Sequence, residues 1–278
     1  MLGWQLYKTL KKENDVYSLS SKTSSKKKNL KFDLKKSNYK IIKNLVNPNV
    51  IIHCAAETNI DKCEIDKKNC KKVNFDSVEK LTNLFPDSKF IFISSDSVYN
   101  GKKPHKESHL KIPLNNYGLL KLKAENFIRR NQKNYFIIRT TPVGLPGMNK
   151  KKTFVSWIIE GAQKEKNLNL FEDVFFSPIS IKYLAEEIEF IISQNIIGTF
   201  NISSSDSISK YHFAKKLCKN LNLNSKNIKR SKISGAKLTA RRNNSQVLDC
   251  SLYQKKFKRK LPSVSLTIND ISNTYLSS

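Results

Sequence analysis

Ser95, Tyr117 and Lys121 have the residue types and spacing needed to pass a proton to or from a carbonyl oxygen. Tyr117 and Lys121 stand four apart in "YGLLK", which puts two side chains on one face of a helix, one turn apart. An ammonium group in that position favours the phenolate and is expected to lower the tyrosine pKa from its reference value of about 10. A phenol tuned in this way exchanges a proton with a substrate oxygen at neutral pH. Ser95 ends the run "KFIFISS", 22 residues before Tyr117, and could hydrogen-bond and orient the same oxygen. The hydride for such chemistry comes from a nicotinamide held by the preceding loops. Tyr-x-x-x-Lys alone is a weak signal, since an exposed amphipathic pair has the same spacing. It gains weight from the strand ending in Ser94-Ser95-Asp96 ahead of it.

The elements that must position these residues alternate along the chain. The periodicity predicts helices over 4–12, 37–46, 65–84, 115–131, 153–166, 180–193 and 209–222. Strands are predicted over 15–19, 50–54, 89–95, 135–140 and 198–203. In the helix over 65–84, Val73, Val78, Leu81 and Leu84 are expected to share one face. Fully apolar strands alternating with helices indicate an α/β chain, a doubly wound parallel sheet covered on both faces. In such sheets ligands sit beyond the carboxyl ends of the strands, here after Leu19, Cys54, Ile93 and Ile138.

Composition excludes other classes. No apolar run approaches the length of a membrane span, and the first residues lack the zones of a signal peptide, so the expectation is a cytoplasmic protein with no membrane partner. The five cysteines are widely spaced, and reduced, packed thiols are expected rather than disulfides. Cys63 and Cys70 have no CxxC partner or paired histidines, so no metal site is expected. The net charge is +28, yet only seven of the 51 basic residues are arginine, and base-reading proteins lean on arginine. Lysine spread along the chain with asparagine and isoleucine reads as a compositional drift. No specific nucleic-acid partner is expected, although a positive field steers an anionic substrate such as a nucleotide-sugar.

Four blocks carry a resemblance: "IIHCAAETNIDKCE", "VNFDSVEKL", "FIFISSDSVYNGKKPHKE" and "PLNNYGLLKLKAENFI". Their order and spacing resemble the dTDP-4-dehydrorhamnose reductase family, sugar-nucleotide reductases of the extended short-chain dehydrogenase/reductase superfamily. The resemblance runs from Met1 to about residue 140, and more thinly through "FSPISIKYLAEEI", "GTFNIS" and "ARRNNSQVLD". It implies a Rossmann-type dinucleotide-binding domain over 1–140, rejoined by 176–203, and a smaller substrate-binding region over 141–175 and 204–278. It implies NADPH-dependent reduction of the 4-keto group of a nucleotide-linked deoxysugar, in carbohydrate biosynthesis. Tyr117 is then the proton donor, Lys121 holds the ribose hydroxyls and acidifies Tyr117, Ser95 aligns the carbonyl, and Asp96 contacts the substrate. Ala55, Ala56 and Thr58 are expected against the cofactor, where small residues let the backbone approach; Asp33 and Leu34 match the pair beside the adenine. Of Arg241 and Arg242, Arg241 is taken as the diphosphate contact, with a surface salt bridge as its plain alternative. NAD-binding folds place a carboxylate near the end of the second strand. Here that place reads Ser18-Leu19-Ser20-Ser21-Lys22, which favours NADP(H).

The chain departs from the family in three places. Ser97 and Tyr99 replace the tyrosine and phenylalanine of the Ser-Thr-Asp-Tyr-Val-Phe block, and Thr141-Pro142-Val143 stands where many members carry a tryptophan against the sugar. The sugar's identity is therefore open. Of the family's first strand and G-x-x-G-x-x-G loop, only Gly3, with Leu2 beside it, is present. Deleting a central strand leaves backbone unpaired, so the expectation is that Met1 is internal to a chain beginning about ten residues earlier. With the listed start, cofactor affinity is expected to be poor. Two other readings share the fold: a nucleotide-sugar epimerase or dehydratase recycling bound NAD, and a non-catalytic subunit of the methionine adenosyltransferase type. Homodimers are common among such relatives, but no residue pattern here demonstrates one.

Overall fold

A computed structural model describes residues 1–21, 28–102, 104–147 and 151–277; Lys22 of the strand-end argument above lies outside them. The chain begins with α1 (Leu2–Leu10), β1 (Ser18–Ser20), β2 (Asn29–Lys31), α2 (Lys40–Leu45) and β3 (Val50–His53). It continues through α3 (Ile60–Ile65), α4 (Lys67–Lys71), a π-helical turn (Lys72–Asp76), α5 (Ser77–Leu84), β4 (Lys89–Ser95) and a 3-10 turn (Asp96–Val98). Next come α6 (Asn116–Asn131), β5 (Tyr135–Thr140), β6 (Pro142–Val143), α7 (Phe154–Gln163), β7 (Leu168–Phe171), β8 (Phe175–Phe176) and β9 (Ile179–Ser180). The chain finishes with α8 (Ile181–Ile192), β10 (Gly198–Asn201), β11 (Ile208–Ser209), α9 (Lys210–Asn220), β12 (Ile228–Ser231), β13 (Ser245–Gln246), α10 (Ser251–Phe257) and α11 (Val264–Leu276).

The main sheet is parallel, in the order β10-β5-β4-β3, and β1 and β2 form a separate parallel pair. Among the described residues no strand is hydrogen-bonded between that pair and β3. All seven residues of β4 are buried, because both faces are covered. Ile91 and Ile93 pack with Phe136 and Ile138 against Leu2, Leu6 and Leu10 of α1 and Leu184 and Ile188 of α8. Phe90 and Phe92 pack on the other face with Ile42, Val78, Leu81, Leu120 and Ile128 of α2, α5 and α6. This alternation is the sequence signature of a doubly covered parallel sheet. A third cluster, built by Val155, Ile158, Leu170, Phe176, Phe213 and Ile268 among others, lies in the C-terminal half. Leu248, Tyr253 and Leu261 instead join the sheet cluster, so the segment after 204 serves both cores. Among the described residues no helix is long and apolar enough to cross a membrane.

The expected helix over 65–84 is broken twice. Asp66 ends α3 with non-helical backbone (φ −110°, ψ 66°), and its carboxylate caps α4 by accepting from Asn69 N–H. The π turn then aims Asn74 inward, where it is fully buried. The break corrects the expectation of reduced thiols at Cys63 and Cys70, which form a disulfide. A continuous helix would hold residues seven apart at about 10 Å; the corner at Asp66 brings their Cα atoms to 5.2 Å, within disulfide reach. Asn74 Nδ2 faces both sulfurs, at 3.7 Å from Cys63 and 3.2 Å from Cys70.

A buried ion pair locks the sheet to α6. Arg139 of β5 and Glu125 of α6 are both within 1% of complete burial. The guanidinium donates through Nε to Oε1 at 2.9 Å and through Nη2 to Oε2 at 2.6 Å. Ser94 Oγ of β4 donates to the same carboxylate at 2.6 Å, and Arg129 adds a further 2.6 Å contact. The remaining Arg139 Nη1 donates to the Tyr99 hydroxyl at 2.5 Å, and the Tyr99 ring stacks on His105 with centroids 4.8 Å apart. Burial opposes the Glu125 charge, but the Arg139 hydrogen bonds and charge, with Ser94, outweigh it and hold the carboxyl below the ordinary glutamate value.

Two outcomes follow. Unfolded without reductant, the chain should titrate as the three thiols Cys54, Cys218 and Cys250, and Cys70→Ser should cost about 2–3 kcal/mol in urea unfolding; five thiols without reductant would contradict the pairing. Glu125→Ala strands the buried guanidinium and should cost about 3–5 kcal/mol. Because the folded pKa of Glu125 is depressed, its contribution is complete above the unfolded value and is lost as the pH falls through the folded one. The stability gap between wild type and Glu125→Ala should therefore close in acid, which a urea titration at several pH values reads directly.

Candidate active site

Ser95 closes β4, and its hydroxyl is the N-cap of the 3-10 turn, accepting from Ser97 N–H at 3.2 Å. The same hydroxyl donates to Asp96 Oδ1 at 2.7 Å. On the facing helix the Asn115 side chain caps α6 by accepting from Gly118 N–H at 2.9 Å. Gly118 is required by contact: a Cβ there would meet the Ser97 carbonyl oxygen at 2.2 Å. The helix backbone therefore rests on the 3-10 turn, which brings Tyr117 close enough for Ser95 to act on its phenol. Glu64 Oε2 accepts from Asn116 N–H at 2.9 Å, and Asn116 Nδ2 donates to Cys63 O at 2.8 Å, so α3 buttresses the start of α6.

Lys121 lies one turn along α6, with its ammonium 5.9 Å from the Tyr117 ring centroid and 4.6 Å from that of Phe92. It donates to Ile93 O at 2.8 Å. Burial pulls the Lys121 pKa down to about 8. The expected acidification of Tyr117 is reversed. Burial pushes the phenol pKa up, the neighbouring Ser95 only partly offsets the rise, and Asp96 adds to it. The spacing argument left out desolvation; here both side chains are buried, and the ammonium donates one hydrogen bond to a main-chain carbonyl. Burial likewise raises the Asp96 pKa.

The other expected residues occupy the carboxyl edge of the sheet or its neighbourhood. Ala55 and Thr58 are exposed, and Ala56 half-buried, in the loop beyond β3. That loop is held by Asn74, which accepts from Glu57 N–H at 2.8 Å and donates to Glu57 O at 3.1 Å. Leu2 is buried in the sheet core, and Gly3 opens α1 beside this edge, where an added Cβ would come to 3.9 Å from the Cys54 Cβ. Asp33 Oδ1 accepts from Lys35 N–H at 2.9 Å, and Leu34 O accepts from the Tyr39 hydroxyl at 2.9 Å. A small cavity in front of Asp96 is lined by Ser97, Asn115, Arg242 and Gln246. Arg241 is exposed and offers its main-chain carbonyl to Asn115, while Arg242 lines the cavity and pairs with Asp61 at 2.6 Å. Sequence reasoning missed Glu125, Arg139 and Lys210. An arginine inside the otherwise apolar "YFIIRT" and a glutamate four residues after Lys121 were the available signals for the first two.

Comparison with known proteins places this geometry in a family. A spore coat polysaccharide biosynthesis protein, SpsK of Bacillus subtilis, is 30% identical over 174 residues, covering 60% of this chain and 59% of that protein. Methionine adenosyltransferase 2 subunit beta of Pongo abelii is 28% identical over 216 residues, 73% of this chain and 64% of that one. These matches span less than two thirds of either relative. The crystal structure of dTDP-4-dehydrorhamnose reductase from Bacillus anthracis in complex with NADP superposes with a TM-score of 0.88 at 24% identity, over all of this chain and 95% of that one. The family model of the RmlD substrate binding domain matches residues 1–277, and the chain belongs to that family.

Proposed function

We propose that the protein is an NADPH-dependent reductase of the 4-keto group of a nucleotide-linked deoxysugar, serving carbohydrate biosynthesis. The observation that carries this reading is the convergence of Ser95 at the carboxyl end of β4 with the buried Tyr117 and Lys121 of the helix that rests on the turn after it. Membership of the family and the likeness to an NADP-bound reductase structure support it.

The residues fit a nicotinamide cofactor. Ala55, Ala56 and Thr58 offer little side-chain bulk where a dinucleotide backbone would lie, and the N-terminal end of α1 beside them suits an anion. Lys121 makes one hydrogen bond among the described residues, leaving donors of its three for ribose hydroxyls. Ser18 to Ser21 carry no carboxylate, in keeping with a 2′-phosphate. Asp33 and Leu34 would flank the adenine. When bound, the reduced nicotinamide supplies the hydride.

The chain's own residues supply the rest. Tyr117 donates its proton to the carbonyl oxygen as negative charge develops there, and Ser95 turns its hydroxyl from Asp96 towards the same oxygen. The raised pKa keeps the phenol protonated across the neutral range, the state a reductase needs at the start of its cycle. Lys121 then stabilises the phenolate that is left. Asp96 accepts from a sugar hydroxyl, and Arg242 at the cavity mouth faces the diphosphate, with Arg241 beside it at the surface. In this reading residues 1–140 with 176–203 carry the cofactor, and 141–175 with 204–278 close over the sugar.

A second reading draws on the relative named as a methionine adenosyltransferase subunit: a non-catalytic subunit that retains the cleft. Tyr117→Phe separates the two. It should keep the fold and NADPH affinity while lowering the rate of NADPH consumption with a dTDP-4-keto-6-deoxysugar by about 10²- to 10⁴-fold. Wild-type protein that binds NADPH and the sugar nucleotide without turnover would favour the subunit reading. Turnover of the sugar without net NADPH loss would instead identify an epimerase or dehydratase.

A further inference from the structure

Lys210 is a cation near enough to the cavity to feel Asp96 and Arg242 of its lining, and the chemistry above leaves it unused. It is the first residue of α9, whose N-cap Ser209 ends β11. β11 pairs antiparallel with β8, and β8 pairs in parallel with β13. In this small sheet Phe176 stands opposite Gln246, which lines the cavity in front of Asp96, and Lys210 is fixed at the sheet's margin by donating N–H to Val174 O at 3.0 Å. The ammonium sits 3.3 Å from the centroid of the Phe176 ring and 5.2 Å from that of Phe154. Two charged groups act on it: Asp96, which favours its charge, and Arg242, which opposes it. Among the described residues neither Asp96 nor any other carboxylate lies within 4.0 Å of the Lys210 ammonium.

The two cations are in different states. Arg242 has its charge answered by Asp61 at 2.6 Å. Lys210 has the aromatic faces of Phe154 and Phe176 beside it, which attract an ammonium but cannot neutralise it. A desolvated cation without a counter-ion is costly unless a ligand brings one. Burial accordingly pulls the Lys210 pKa down to about 8, so an arriving anion would find a group ready to take or keep its proton.

We propose that Lys210 is the anion anchor of the substrate cleft, its ammonium holding an anionic oxygen of the nucleotide-linked sugar across from Asp96. The oxygen belongs either to the diphosphate or to a carboxylate on the sugar, and Lys210 sets which substrates the cleft accepts. The inference rests on reading this cleft as a nucleotide-sugar site, but not on reduction taking place there.

The test is calorimetric titration of the full chain with dTDP, with UDP-glucuronate and, separately, with NADPH. Wild type is compared with Lys210→Met, which keeps the apolar stem over Phe176, and with Lys210→Arg, which keeps the charge. The expected result is a 10- to 100-fold weaker dTDP affinity in Lys210→Met, the range of a hydrogen bond to a charged group, about 1.5–3 kcal/mol. Lys210→Arg should recover most of the loss, with the NADPH affinity and thermal midpoint of both variants unchanged. Unchanged dTDP binding with weakened UDP-glucuronate binding assigns the carboxylate instead. Two results overturn the proposal: wild type binding neither nucleotide, or Lys210→Met binding both as wild type does. NADPH consumption is scored apart, so a Lys210-dependent affinity without turnover would defeat the reductase reading and leave the anchor standing.

Discussion

The Glu125–Arg139 pair is the constraint on which the candidate site depends. Tyr117, Lys121 and Glu125 follow one another at four-residue intervals on the inward stripe of α6, so fixing the third fixes the azimuth of the other two. Glu125 reaches Arg139 on β5 and Ser94 on β4 at once, and Ser94 immediately precedes Ser95. A displacement of α6 along or around its axis would break three charge-assisted hydrogen bonds in a place water does not reach. Buried ion pairs often give little net stability because desolvation consumes the gain. What this one supplies is register, the relative placement of a hydroxyl on a strand end and a phenol on a helix.

A second restraint acts from outside the sheet. The short helix α3 offers Asp61 to Arg242 and Ala240, Glu64 and the Cys63 carbonyl to Asn116, and its own disulfide to α4. Asn74 then ties the disulfide to the loop that carries Ala55 to Thr58. The loop beyond β3, the first turn of α6 and the arginine at the cavity mouth thus converge on one small corner. Beneath them, Gly118 lacks the Cβ that would meet the Ser97 carbonyl and hold α6 off the 3-10 turn. Packing α6 this closely is a matter of backbone against backbone, which explains why a glycine is needed one residue after Tyr117.

The sequence disclosed those parts of the fold that are set locally. β4 and β5 were predicted with the bounds they have, because a continuous apolar run flanked by polar residues leaves a buried parallel strand few alternatives. The long prediction over 65–84 failed because periodicity averages over a break: Val78 and Leu81 do face the core, but Asp66 caps a new helix and the π turn shifts the phase. The two-residue strands β6, β8, β9, β11 and β13 exist only through their partners, so they left no local signal. Charged core residues were hidden by the rule that charge marks the surface. Glu125 and Arg139 obey the deeper rule that buried charge is paired, and that rule cannot be applied until the partner is known. Cys63 and Cys70 were read as reduced thiols from the wide spacing of the cysteines and the lack of an export signal, and only the corner at Asp66 brings them within bonding reach.

Burial also sets the electrical state of the site. Tyr117 and Lys121 are each driven towards their neutral forms, the phenol upward and the ammonium downward. Such a pair resists becoming phenolate and ammonium until something compensates the charge. In the proposed reduction the carbonyl oxygen would take the phenol's proton as hydride adds to the carbonyl carbon, and the negative charge left on Tyr117 would lie beside Lys121 in the same low-dielectric layer. The 28 excess positive charges of the whole chain act at longer range and favour arrival of a polyanion, but they fall off within a Debye length and cannot select among substrates. Selection belongs to the few cations inside the cleft. Arg242 has its charge matched by Asp61, whereas no carboxylate pairs with Lys210 among the described residues, which is why the proposed anchor is the lysine.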